Sequence, residues 1–133
     1  MAQLTLEVVT PEKRVLSTAA DEVRAPGVLG GFGVRVDHAP FMSALEPGRL
    51  TFVLAGQEHH FAIGGGFLQV ADNRVVVLAD SAEPAGEIDV DRARRALADA
   101  TEKLRGMREE DQAFAVESAR LRRAVARIGV AGR

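Results

Sequence analysis

The chain has 133 residues, 47% of them hydrophobic and 27% charged, a balance that suits a globular core and excludes a disordered or low-complexity polymer. No apolar run approaches the roughly 18 residues of a membrane-spanning helix, and the complete lack of cysteine removes disulfides, thiolate metal sites and cysteine nucleophiles together. The net charge of −2 hides an asymmetry, with Lys and Arg 6 against Asp and Glu 10 in residues 1–86 and 11 against 9 in residues 87–133; neither half has a nucleic-acid-binding surface's dense basic patch, and no Trp or Tyr supplies a base-stacking platform.

Met1 leads almost directly into Leu4, Leu6 and Val8, which alternate with Gln3, Thr5 and Glu7 as in a half-buried strand. That start has neither the pattern of a signal peptide nor that of a transit peptide, so the chain is expected to stay where it is made. Pro11-Glu12 turns it, and further strands fit Arg14–Ser17, Asp21–Ala25, Phe32–Val36, Phe41–Leu45, Arg49–Leu54 and Glu58–Ile63, punctuated by Pro26-Gly27, Gly30-Gly31, Glu46-Pro47-Gly48 and Ala55-Gly56. Residues 62–89 form the seam of the molecule. They begin with β-branched runs separated by Gly64-Gly65-Gly66 and Asp72-Asn73, and change period after Pro84 and Gly86. Residues 1–86 are thus expected to form an all-β flattened sandwich or barrel of about ten short strands.

Residues 87–133 differ in kind. Val90, Ala93, Leu97, Ala100, Leu104 and Met107 recur in steps of three and four, flanked by Asp91, Arg94, Arg95, Asp99, Glu102 and Lys103, which predicts one amphipathic helix begun by acids and ended by Gly106. A second helix is predicted from Glu109 to about Ile128, with Phe114, Ser118, Leu121, Val125 and Ile128 on one face, acids Glu109, Glu110 and Asp111 leading it, and Arg120, Arg122, Arg123 and Arg127 crowding its end. The whole therefore reads as α+β in two modules, the second an antiparallel helical hairpin. Its Ala-rich seam buries little area, so the hairpin is expected to be marginal and mobile.

No catalytic constellation emerges. The chain lacks a Gly-x-Ser-x-Gly elbow, a His-Glu-x-x-His motif and a phosphate loop, and its glycine clusters read as turns. His59 and His60 are adjacent on a predicted strand, hence on opposite faces, and do not converge on a metal. His38 precedes Ala39-Pro40 in a loop, as a surface contact or a turn hydrogen-bonder. The arginines of the second helix read either as a solvated face or as a contact for an acidic partner or phosphate.

Four groups of residues together resemble the epsilon chains of bacterial F-type ATP synthases: Leu6–Glu12; Gly30-Gly31-Phe32-Gly33-Val34 with His38-Ala39-Pro40-Phe41; Leu45-Glu46-Pro47-Gly48; and Gly65–Val70 through Asn73–Glu83, continued by Ile88-Asp89 and Arg92-Ala93. The resemblance covers nearly the whole chain. It implies a non-catalytic central-stalk (rotor) subunit that couples proton flow to ATP synthesis and restrains ATP hydrolysis through its C-terminal helices. The implied place is the cytoplasmic face of the bacterial plasma (inner) membrane, which the chain meets only through its partners. Those partners would be the gamma chain and the c-subunit ring for the sandwich, and the alpha/beta catalytic head for the extended hairpin. The alternative from another class is a stand-alone β-sandwich binding module with a helical dimerisation hairpin.

Where the family commonly carries an acid associated with the ring contact this chain has Gly31, and where it has Pro-Gly this chain has Val36-Asp37. The implied contact residues are therefore Gly31, Arg35, Asp37 and His38 toward the ring, and Arg120, Arg123 and Arg127 toward the head. The family likeness also implies no required cofactor and, in some members, a regulatory ATP site built on an Ile/Leu-Asp-x-x-Arg-Ala motif. Ile88, Asp89 and Arg92 match it, with Glu83 upstream and Arg122 contributing from the second helix. Asp99 stands where binders carry a base, so any ATP binding is expected to be weak. Read structurally instead, Asp89 caps the helix and Arg92 pairs with it or with Glu83.

Overall fold

A computed structural model describes residues 2–132; Met1 and Arg133, the outermost residues of the two expected modules, lie outside the described residues. Eight strands come first: β1 Leu4–Val9, β2 Arg14–Ala20, β3 Glu22–Gly27, β4 Gly30–Arg35, β5 Phe41–Leu54, β6 Gln57–Ala71, β7 Arg74–Ala79 and β8 Ala82–Pro84. A 3₁₀ turn at Ala85–Glu87 then leads to α1 Val90–Arg105 and α2 Gln112–Ala131. The strands lie in the order β2-β1-β7-β6-β5-β3-β4, with β8 also on β6; β1 and β7 run parallel and the other neighbours antiparallel. Alternation in β1 puts Leu4, Leu6 and Val8 at 1% exposure or less, and they share one core with Val23, Val34, Leu50, Ile63, Leu68, Val70, Val75 and Val77.

The strand count corrects the expectation of about ten short strands. Phe41–Leu45 and Arg49–Leu54 belong to one 14-residue strand, and the segments on either side of Gly64–Gly66 belong to one strand of 15. Glu46-Pro47-Gly48 and Gly64-Gly65-Gly66 are bends and not turns, because they lie opposite one another: Leu45 pairs with Gly66, Pro47 with Gly64, and the register is the same before and after. Gly65 and Gly66 have φ of 102° and 142°, and a Cβ on Gly66 would stand 2.0 Å from the Leu78 carbonyl oxygen. Both long strands therefore bend together, and one sheet forms both layers of a flattened sandwich. The long strands reverse instead at Ala55-Gly56 and Asp72-Asn73, where both central residues have positive φ as such tight hairpins require.

The first helix matches its pattern. Asp89 caps it by accepting from the Arg92 N–H at 3.0 Å, Ala93 and Ala100 are buried, and Gly106 ends it. The second helix begins three residues later than expected. Asp111 accepts from the Arg108 N–H at 2.9 Å and donates its own N–H to the Arg108 carbonyl at 3.0 Å, so Glu109, Glu110 and Asp111 form the interhelical turn. The helix runs on to Ala131, which places Arg120–Arg127 in its middle and not at its end. Val125 is 51% exposed while Ala124 and Val130 are buried, a rotation of the expected apolar face caused by α2 packing on two surfaces, α1 and the β5–β6 bend.

Candidate functional site

Where the hairpin folds back on the sandwich it encloses a cleft of about 430 Å³, lined by Glu83, Glu87, Asp89, Arg92, Ala93, Ala96, Arg120, Arg123 and Arg127. Three elements build it. The end of β8 brings Glu83, the capped start of α1 brings Asp89 and Arg92, and successive turns of α2 bring the other arginines. Asp99 facing Arg120 and Glu83 facing Arg127 fix the antiparallel pairing of this wall. Gly64 makes room for it, since a Cβ there would meet Arg123 Cδ at 3.0 Å and Ser81 Oγ at 2.4 Å.

The four arginines are not equivalent. Arg127 is held by Glu83 through Nε, and Arg120 by Asp99, with Glu117 a further partner at 3.3 Å. The Arg120 hydrogen bond, followed by that of Lys103, holds the Asp99 carboxyl below the usual carboxylate range, and the Asp99 bond correspondingly raises Arg120. Arg92 and Arg123 have no ion pair among the described residues. The site thus presents two uncommitted guanidinium forks beside two already paired with acids, an arrangement suited to a multiply charged anion carrying hydrogen-bond donors for Asp89 and Glu87.

Of the residues singled out from sequence, Glu83, Asp89 and Arg92 converge here. Ile88 adjoins them without lining the cleft. Arg122, two positions round the helix from Arg120, does not line the cleft and pairs with Glu46 at 3.4 Å. Arg123, expected from sequence to meet a protein partner, lines the cleft. The helical register carries the signal, because Arg120, Arg123 and Arg127 recur at steps of three and four and Arg122 does not. Arg92 pairs with neither Asp89 nor Glu83 among the described residues, whereas the capping role of Asp89 is observed.

The ring-contact candidates lie on β4 and the loop after it. Gly31 is exposed, and Arg35 reaches Glu22 at 3.6 Å. Asp37 serves the fold: with φ of 65° it donates its N–H to Asn73 Oδ1 at 2.6 Å and accepts from Asn73 Nδ2 at 3.3 Å. His38 Nδ1 lies 2.6 Å from the Ala39 carbonyl oxygen, with its ring 5.7 Å from Phe41. His59 and His60 point to opposite faces, His59 stacked on Phe52 and His60 hydrogen-bonded to Thr51 at 2.8 Å.

A further surface was not legible in advance. Ala44, Phe67 and Leu78 face one another across β5, β6 and β7, with Val9 of β1 next in register. Phe67 is 55% exposed and Leu78 54%, and they line an apolar groove with Pro11 and Ala44, next to the exposed Met42. The continuous run Val75–Leu78 hid it, since unbroken apolar sequence does not say which side faces solvent.

Residues 3–85 match the family model for the ATP synthase, Delta/Epsilon chain, beta-sandwich domain, and residues 87–132 that for the ATP synthase, Delta/Epsilon chain, long alpha-helix domain. The chain belongs to the ATP synthase delta/epsilon chain family. Within this family it is 70% identical over 130 residues to an ATP synthase epsilon chain of Anaeromyxobacter dehalogenans, covering 98% of each chain. Against an ATP synthase epsilon chain of Myxococcus xanthus it is 52% identical, covering 98% of this chain and 96% of that one. The fold recurs in a chain of the Euglena gracilis mitochondrial ATP synthase (OSCP/F1/c-ring), at TM-score 0.83 and 24% identity over 100% of this chain and 83% of that one. No described helix is long and apolar enough to cross a membrane.

Proposed function

We propose that this chain is the epsilon-type subunit of a proton-translocating F-type ATP synthase, a central-stalk component without catalytic residues of its own that couples rotation to ATP synthesis and restrains ATP hydrolysis. The single observation that carries the regulatory part is how the hairpin is attached. Among the described residues, the polar contacts of α2 with the sandwich are Arg49 donating to the Gly129 carbonyl at 2.9 Å, Arg122 on Glu46 and Arg127 on Glu83, and the helix that packs on β5 and β6 has only Ala124 and Val130 fully buried along its length. Residues 1–86 contain a complete core that does not depend on this attachment. A polar, partly exposed latch on an independently packed body supports a docked and a released state separated by a few kcal/mol, the range that ligands and partners can shift.

In this reading the sandwich, residues 1–86, holds the complex and the hairpin, residues 87–133, regulates it. The apolar strip of Met42, Phe67 and Leu78 takes the gamma chain, because exposed contiguous apolar surface marks protein contacts. The loop bearing His38 and the exposed β3–β4 hairpin face the c ring, and the released α2 offers Arg120, Arg123 and Arg127 to acidic segments of the catalytic head. The complex would sit on the cytoplasmic face of the plasma membrane. The cleft takes ATP weakly, with Arg92 and Arg123 on the phosphates and Asp89 and Glu87 toward the donors of the base or sugar, beside the Glu83–Arg127 pair. Binding there would tie α1 to α2 and hold the hairpin closed. The alternative, a free-standing module that dimerises through its helices, is disfavoured because the Ala93, Ala100 and Ala124 seam is already filled within the hairpin.

The test is to purify the synthase with the chain truncated after residue 87. The sandwich should still join the complex and ATP hydrolysis should rise; unchanged hydrolysis would refute the restraining role, and loss of the chain from the complex would refute the division of labour.

A further inference from the structure

β4 ends the sheet order, so one of its sides has no strand beside it. Which of its backbone groups point that way follows from the register. The β3–β4 pairing is unshifted and sets Pro26 opposite Gly31. Proline has no N–H to exchange, so that pair is not hydrogen-bonded, and by alternation Arg24–Gly33 and Glu22–Arg35 are not either. Consistently, the β3–β5 register breaks between Arg24 and Gly27, where the missing Pro26 N–H would have pointed. Gly31 and Gly33 therefore direct both N–H and C=O outward, and Arg35 its N–H; the Arg35 carbonyl is taken by the His38 N–H at 3.2 Å.

Glycine is not demanded at these two positions by the chain's own fold. Neither has positive φ; a Cβ on Gly31 would lie 3.7 Å from its nearest neighbour, and one on Gly33 3.3 Å from the carboxylate at the end of the Glu22 side chain. Glycine weakens a strand unless another backbone or a ligand approaches closely. Such edges are ordinarily blunted with Lys, Pro or a bulge, none of which β4 carries. On the other face of β4, Phe32 and the 39%-exposed Phe41 meet edge to face at 5.2 Å and leave an apolar rim.

We propose that β4 receives an extended segment of a partner polypeptide, added as a further strand along Gly31, Gly33 and Arg35. Its side chains would alternate, apolar toward Phe32 and Phe41 and polar or acidic toward Arg35, whose own bond to Glu22 spans 3.6 Å at 79% side-chain exposure. A second copy of this chain is not the occupant. A six-residue strand offers far less than the roughly 800 Å² per partner of a stable interface, so the segment must be held close by other contacts. The inference rests on the reading of this chain as a subunit of a larger complex.

Hydrogen–deuterium exchange of the intact synthase complex, compared with the purified chain, tests it. The amides of Gly31, Gly33 and Arg35 should exchange at least about tenfold more slowly in the complex. In a complex carrying Gly33→Pro, which removes one outward N–H and no bond of the chain's own sheet, the slowing at Gly31 and Arg35 should be lost while the chain stays bound. Equal rates in the complex and the purified chain, or slowing that survives Gly33→Pro, would overturn strand addition. Slowing that grows with the concentration of the purified chain would assign the edge to a second copy and also overturn it. A chain that does not co-purify with the complex would instead defeat the subunit reading itself.

Discussion

Replacing Arg49 and Arg127 by alanine tests the latch directly. Arg49 donates a charge-assisted hydrogen bond to the Gly129 carbonyl at 2.9 Å, worth about 1 kcal/mol once its exposure is allowed for. Arg127 and Glu83 form an ion pair with side-chain exposures of 32% and 36%, worth about another 1 kcal/mol at that depth. Both contacts hold the same end of α2, at Gly129 and Arg127, so the double variant should shift the docked-to-released ratio by up to about 2 kcal/mol, roughly thirtyfold. Because the chain has no cysteine, spin labels introduced at the exposed Ser17 and Ala115 report separation of sandwich and hairpin without background. The labelled double variant should broaden to longer distances while its thermal midpoint stays near that of the parent, since the sandwich core lies elsewhere. In the assembled complex, hydrolysis should fall in the single variant Arg49→Ala, which releases the hairpin and leaves Arg127 in place for the head. An unchanged distance distribution would show that apolar packing around Ala124 and Val130 holds the hairpin and that the polar latch does not.

Gly66→Ala should destabilise the sandwich by about 3 kcal/mol or more, seen as a large drop in melting temperature, because the new Cβ has no room beside the Leu78 carbonyl and φ is 142°. Phe67→Glu should leave the melting temperature of the isolated chain almost unchanged, its side chain being 55% exposed, yet weaken co-purification with the gamma chain at least about tenfold. Titration with ATP followed by amide chemical shifts should saturate in both α1 and α2, be lost in Arg123→Ala, and persist in Arg122→Ala; the reverse order would return the site to the sequence-based assignment. The carboxyl of Glu7 is held below its ordinary value first by its hydrogen bond to Arg74, against the opposing effect of burial, with the charges of Arg74 and Arg14 adding to it. Its stabilising contribution is therefore complete above the unfolded value of about 4.3 and lost as pH falls through the lower folded value. Glu7→Gln should flatten the acid limb of the melting-temperature profile below about pH 4.

Two modules, their order and their types were legible in the sequence because period is a local property. The alternation of Leu4, Leu6 and Val8 and the heptad-like seam from Val90 to Met107 each fix a buried face without reference to the rest of the chain. The helix start at Asp89 was legible for the same reason, since an Asx cap reaches only three residues ahead. The combination of short motifs carried the family for a different reason: many weak local constraints rarely coincide by accident.

What the sequence left undecided depends on pairs of distant residues. Gly64–Gly66 has the composition of a turn. It became a bend only because Glu46–Gly48 lies opposite and bends with it, so strand number was set by pairing and not by either segment alone. The exposed face of the Val75–Leu78 run was set by which neighbour came to cover it. Arg122 and Arg123 are adjacent and chemically identical, and only the docking of α2 across the β5–β6 bend sends one to Glu46 and the other into the cleft beside Arg92. Sequence by itself determined which residues form elements and which faces must be buried. Tertiary structure decided which distant charges meet, because the partner of Arg127 is Glu83, 44 residues away, and is chosen by packing and not by anything local to it.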